Sequence, residues 1–97
     1  MDAKLLAIRN WANHGTIHQF KNEVMAKIGS KQYAAETDGD QVTFYRLSKR
    51  GGFLGIGSRQ KREEVLTVIR EGVDIHVPED RADRQFVEML SGTLTSH

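Results

Sequence analysis

Between Lys49 and Arg62 the chain reads KRGGFLGIGSRQKR, a run of four glycines, three bulky apolar residues and five cations. Glycines beside cations suit phosphate binding, because a backbone without Cβ atoms lets N–H groups approach an anion closely. A nucleotide P-loop needs Lys followed by Ser or Thr directly after its second glycine. Gly52 and Gly57 have the right separation, but Ser58-Arg59 follows, so the lysine that would reach the terminal phosphates is missing. A dinucleotide fingerprint fails too: after Gly55 and Gly57 its third small position falls on Gln60, and no parallel βαβ unit surrounds it. A GxxG nucleic-acid clamp at Gly52-Phe53-Leu54-Gly55 has apolar central residues where such a clamp carries polar or basic ones. Nucleotide chemistry therefore recedes.

Other chemistries are no better served. His14 and His18 are four apart, the spacing of two metal ligands on one helical face, but Gly15 and Thr16 fall between them and place them on different helices. His76 alternates with Ile75 and Val77 and is expected on the open side of a sheet; His97 is terminal. Asp38 and Asp40 flank Gly39, where turn chemistry accounts for them. Glu63-Glu64 and Glu79-Asp80 read as a solvated strand start and a helix N-terminus. No cysteine is present and no serine sits in a nucleophile elbow. The expectation is a protein that is not an enzyme, with no catalytic residue, no metal and no cofactor.

The cations remain. Net charge is +1, yet residues 46–62 hold Arg46, Lys49, Arg50, Arg59, Lys61 and Arg62 without an acid, while residues 63–97 carry eight acids against three arginines. If the segments flanking the glycines pair as strands, these six cations converge on one projecting hairpin, with Phe53, Leu54 and Ile56 at its tip. Such a field attracts phosphate backbones, and an exposed ring can stack on a base or wedge between steps. The same three apolar residues with a charged rim would also serve as a protein-binding anchor, as in a small adaptor or inhibitor of the mobile-element type. A third arrangement packs them back onto the chain's own sheet. The acidic last helix offers Asp80, Asp83 and Glu88 to the basic loop, either of its own chain or of a neighbouring copy in a homo-oligomer.

A strand, then basic-Gly-Phe-Leu-Gly-Ile-Gly, then a second strand, over Gln41 to Ile69, resembles the loop in the N-terminal domain of Jag-type RNA-associated proteins. The resemblance rests on six residues, and the surrounding helices occur in a different order. It implies that such a loop can join two strands.

The elements that must position this segment are legible around it. Leu5, Ile8 and Ala12 recur at helical spacing, with Leu6 and Trp11 beside them, and predict a helix over residues 3–12 with Asp2 as N-cap and Gly15 in the left-handed position after its end. Thr16 and Gln19 have capping-box spacing, and Ile17, Phe20, Val24 and Ile28 form the inner face of a second helix ending at Gly29. Tyr33–Thr37 and Gln41–Tyr45 flank Asp38-Gly39-Asp40, the strongest hairpin signal in the chain. With Asp38-Gly39 as the loop, Tyr33 lies opposite Phe44 and Ala35 opposite Val42, all four on the buried face, while Thr43 and Tyr45 point away. Residues 63–70 are rich in β-branched side chains and read as a strand, the alternative being a helix from Ser58 to Gly72. Residues 73–77 alternate and form a short strand ended by Pro78. Glu79 or Asp80 opens a last helix with Ala82, Phe86, Val87 and Leu90 inward.

The expected object is one α+β domain over residues 1–97. It has two N-terminal helices, an antiparallel sheet of three to four strands with a projecting basic hairpin, and a C-terminal helix, residues 1–2 and 92–97 fraying. Its composition, 38% hydrophobic and 28% charged, is that of a soluble globular protein. No apolar run approaches the roughly 18 residues of a membrane span, so no integral membrane association is expected. The missing disulfides and the absence of a signal peptide favour a cytoplasmic setting. The partner so implied is DNA or RNA, or else a protein.

Overall fold

Thr16 opens the second helix as its spacing predicts. Its hydroxyl accepts from the Gln19 N–H at 3.1 Å, and the Gln19 side chain accepts from the Thr16 N–H at 3.0 Å. This reciprocal pair satisfies two of the donors that a helix start leaves orphaned. Gly15 is not left-handed, contrary to expectation. Its missing side chain is needed for another reason: a Cβ there would stand 2.5 Å from the Gln19 side-chain oxygen, inside the capping box.

The computed structural model describes residues 3–48 and 61–95. The elements run α1 (Ala3–Ala12), α2 (Ile17–Ile28), β1 (Tyr33–Asp38), β2 (Gln41–Ser48), β3 (Lys61–Glu71), β4 (Asp74–His76), a 3₁₀ turn (Glu79–Arg81) and α3 (Arg84–Thr95). The four strands form an antiparallel meander in the order β1-β2-β3-β4, with the helices segregated from it, which makes the chain α+β. The expected projecting basic hairpin falls on residues 49–60, which lie outside the described residues.

The β1–β2 register differs from the expected one by two residues. Tyr33 pairs with Arg46, Ala35 with Phe44 and Asp38 with Gln41, so the loop is Gly39-Asp40. The cause is backbone chemistry: Gly39 alone takes the positive φ (61°), in the first loop position, the pattern of a type II′ turn. A slip of two keeps the parity of the strand, so Tyr33, Ala35, Val42 and Phe44 still share the helix-covered face.

That face holds the core. Phe44 is fully buried and meets Phe20 of α2 edge-on (centroids 5.8 Å) and Phe86 of α3 nearly stacked (6.1 Å). Trp11 meets Phe20 at 5.4 Å, and Tyr33 meets Phe86 at 5.4 Å. Leu5, Ile8 and Ala12 of α1, with Val24, Leu66, Val68, Ile75 and Leu90, fill the remainder. One chain of rings thus ties all three helices to the sheet.

The β2–β3 ladder carries a bulge. Phe44 pairs with Leu66 but Tyr45 pairs with Glu64, leaving Val65 as the extra residue. Val65 and Leu66 are consequently both buried. The bulge also reverses the parity of everything before it in β3, so Glu64 and Arg62 turn away from the helices and Glu63 comes opposite Arg46.

The last helix begins later than expected. Glu79–Arg81 forms a 3₁₀ turn, and Ala82 lies outside the helix. Asp83 is the true cap: its carboxylate accepts from the N–H groups of Gln85 (2.8 Å) and Phe86 (3.3 Å). The Asp83 N–H donates to the carbonyl of bulged Val65 at 2.7 Å, which fixes the entry of α3 against β3. The helix continues through Thr95, and Ser91 is buried.

Candidate nucleic-acid interface

The two arms of the basic segment meet on the sheet. Leu47 pairs with Arg62 and Ser48 with Lys61, at the end of the β2–β3 ladder away from the Gly39 turn. Residues separated by a dozen positions in sequence therefore leave and re-enter the sheet on neighbouring strands. Of the named cations, Lys49, Arg50 and Arg59 lie outside the described residues, as do Phe53, Leu54 and Ile56; of Lys61 the backbone is placed, opening β3.

The remaining two are placed on opposite sides of the sheet. Arg46 follows Phe44 by two residues and lies on the helix-covered side, where its guanidinium stands 3.7 Å from the Asp83 carboxylate. Asp83 thus caps α3 with one oxygen and faces Arg46 with the other. Arg62, turned by the bulge, lies on the helix-free side. There it pairs with Glu36 of β1, and its guanidinium lies over the Tyr45 ring at 5.9 Å from the centroid. Both arginines are partly exposed, and both have a carboxylate beside them. The expectation that all six cations point together from one hairpin is corrected for these two: each is engaged by an acid of its own chain, on its own side of the sheet.

Glu36 and Tyr45 are the residues of this region that sequence reasoning missed as participants; Asp83, one of the acids of the last helix set against the basic segment, engages one of its cations, Arg46 of the same chain. The signal for Tyr45 and Glu36 was the strand alternation that sets them beside Thr43; the acidic character of the last helix announced Asp83, and the fold selects Arg46 as its partner. On the helix-free side Thr43 and Thr67 face each other across β2–β3, both buried, with Thr67 donating to Glu64 and Thr43 accepting from the Gln41 amide at 3.4 Å.

The other candidates stay apart from this region. His14 and His18 are exposed, and His14 Nδ1 donates to the Asn10 carbonyl at 2.6 Å. Among the described residues no group of three or more His, Asp or Glu could hold a metal ion, and no helix is long and apolar enough to cross a membrane. His76 is exposed in β4. Asp80 is exposed, while Asp83 and Glu88 have partners within the chain, Arg46 and Lys4. A groove of about 360 Å³ between α1 and α3 is lined by Lys4, Leu5, Ala82, Arg84, Val87 and Glu88, among others, and its mixed charges give no field of one sign. Asp74 has its carboxyl held below the ordinary aspartate range, first by the hydrogen bond from Arg9 and then by that guanidinium's charge, partly opposed by desolvation.

Comparisons of the chain with protein-family models, with curated proteins and with solved structures return no match.

Proposed function

We propose that the chain is a small non-enzymatic binding module that holds nucleic acid by its phosphate backbone, through the basic end of the β2–β3 hairpin. The observation that carries this reading is the register Leu47–Arg62 and Ser48–Lys61. It brings the two basic arms to adjacent strands, where their charges add. Arg46 and Arg62 are partly neutralised by Asp83 and Glu36. The phosphate contacts therefore fall chiefly to Lys49, Arg50, Arg59 and Lys61, with Phe53 as the ring that stacks or wedges. Contacts of this kind carry no base readout, so little sequence preference is expected.

The test is fluorescence anisotropy with labelled single-stranded RNA, single-stranded DNA and duplex DNA at low and high salt. Binding should be present at low salt and weaken steeply with added salt, with a slope of roughly −0.9 per phosphate neutralised on duplex DNA. Absence of binding to all three probes at low salt overturns the proposal. A salt-insensitive complex points instead to an apolar protein-type anchor at Phe53.

A further inference from the structure

The two edges of the sheet are treated differently. On one side β4 is only three residues long, Pro78 follows it closely, and the stretch of β3 that β4 does not pair carries the bulge, whose Val65 carbonyl is taken by the Asp83 N–H. Short strands, prolines, bulges and crossing chain are the devices by which proteins close an edge to strand addition. On the other side β1 has six residues in unbroken register with β2 and carries no proline, no lysine and no bulge. Among the described residues it pairs with β2 alone.

The hydrogen-bond phase of β1 shows which groups face outward. The Leu47 N–H donates to the Gln32 carbonyl at 2.8 Å, just before the strand. With the observed register, the pairs that exchange bonds with β2 are then Ala34–Tyr45, Glu36–Thr43 and Asp38–Gln41. Tyr33, Ala35 and Thr37 direct their N–H and C=O groups to the open edge.

We infer that this edge pairs with the same edge of a second copy of the chain, antiparallel and centred on Ala35. The charges along the edge select that occupant. Exposed Lys31 precedes the strand, and exposed Asp38 and Asp40 close it. Antiparallel pairing about Ala35 sets Tyr33 against the other copy's Thr37, and Lys31 against its Gly39, between its Asp38 and Asp40. A parallel pairing would oppose like charges. Because the dyad repeats every contact, the edge is complementary to itself. Side chains of Ala34 and Ala35 at the centre leave room for the second backbone. The two sheets would join into one of eight strands, by the same backbone bonding used in strand-addition complexes. The contact is small, so the dimer is weak and concentration-dependent.

Sedimentation velocity from about 10 µM to about 1 mM, a range that spans weak association, combined with residue-resolved amide exchange, tests this. A dimer is expected, with exchange at Tyr33, Ala35 and Thr37 slowing as concentration rises. Ala35→Pro removes an outward N–H and no β1–β2 bond, and should leave a monomer at every concentration. Should Ala35→Pro fail to fold, charge reversal supplies the same decision. Asp38→Lys alone should weaken the dimer about tenfold, from two symmetry-related surface pairs, and Lys31→Glu added to it should restore association. A chain that stays monomeric throughout the range overturns the inference. So does a dimer in which those three amides exchange as fast as in the monomer, or one that Asp38→Lys leaves unchanged.

Discussion

On the helix-covered side of the sheet, Phe44 is held between Phe20 and Phe86 and sees no solvent. One residue further along β2, on the opposite side, Tyr45 lies under the Arg62 guanidinium with Glu36 paired to the same arginine. The first side is fixed by shape, the second by charge. Burying a large ring contributes several kcal/mol because many dispersion contacts and the removal of apolar surface act together. An exposed ion pair contributes about 0–1 kcal/mol, because water competes for both partners. The helix-covered side therefore sets whether the chain folds, and the charged side is free to be tuned for a partner at little cost in stability.

The largest effect should follow from Phe44→Ala. Removing the central ring should destabilise the chain by about 3–5 kcal/mol in urea unfolding. A loss below about 1 kcal/mol would mean that the rings of α2 and α3 do not converge on β2, and the contrast between the two sides would fail. Asp83→Ala should come next, at about 1–2 kcal/mol, since it removes a helix cap and the partner of Arg46 together. Asp83→Asn separates the two: it keeps a capping oxygen, so most of the stability should return, while the pairing with Arg46 is lost.

Glu36→Gln should change stability by less than about 0.5 kcal/mol, yet it releases Arg62. If nucleic acid is bound at this end of the hairpin, its affinity should rise and its salt dependence steepen in that variant. The smallest effect concerns Asp74. Arg9 holds its folded carboxyl below the ordinary range, so the unfolded chain takes up the proton first as pH falls. Its contribution to stability is present above the unfolded aspartate range and is lost as pH falls through the folded value. Following the Asp74 carboxyl carbon by NMR, Arg9→Ala should raise the titration midpoint towards the ordinary range; an unchanged midpoint would show that Arg9 is not the cause.

The helices were legible because their apolar positions recur at one spacing and Thr16–Gln19 announces the start of α2. β3 was legible as a strand from its β-branched residues, although its burial on both sides hides any alternation. The β1–β2 register was not fully legible, since Asp38-Gly39 and Gly39-Asp40 are both acceptable loops with the same parity, and only the backbone shows which residue takes the positive φ. The bulge at Val65 left no sign in the β-branched run Val65-Leu66-Thr67-Val68-Ile69, yet it decides which side of the sheet Arg62 occupies. Charge alone set Asp83 against the basic segment but did not single out Arg46, 37 residues away, and the pairing of Arg62 with Glu36, 26 residues apart, left no sign in the sequence. The basic segment itself was plain in the sequence; how its charge is divided became visible only in the fold.

That division is tested most directly by comparing salt slopes. Binding of a labelled duplex would be followed by anisotropy across a salt series for three proteins. These are the unaltered chain, a variant with Lys49, Arg50, Arg59 and Lys61 changed to alanine, and one with Arg46 and Arg62 changed to alanine. The four-residue variant should lose binding or flatten the slope by roughly 0.9 for each phosphate contact removed, while the two-arginine variant should keep most of the slope. Equal binding by the four-residue variant and the unaltered chain, or no binding by the unaltered chain at low salt, would contradict the assignment of this hairpin as the nucleic-acid interface.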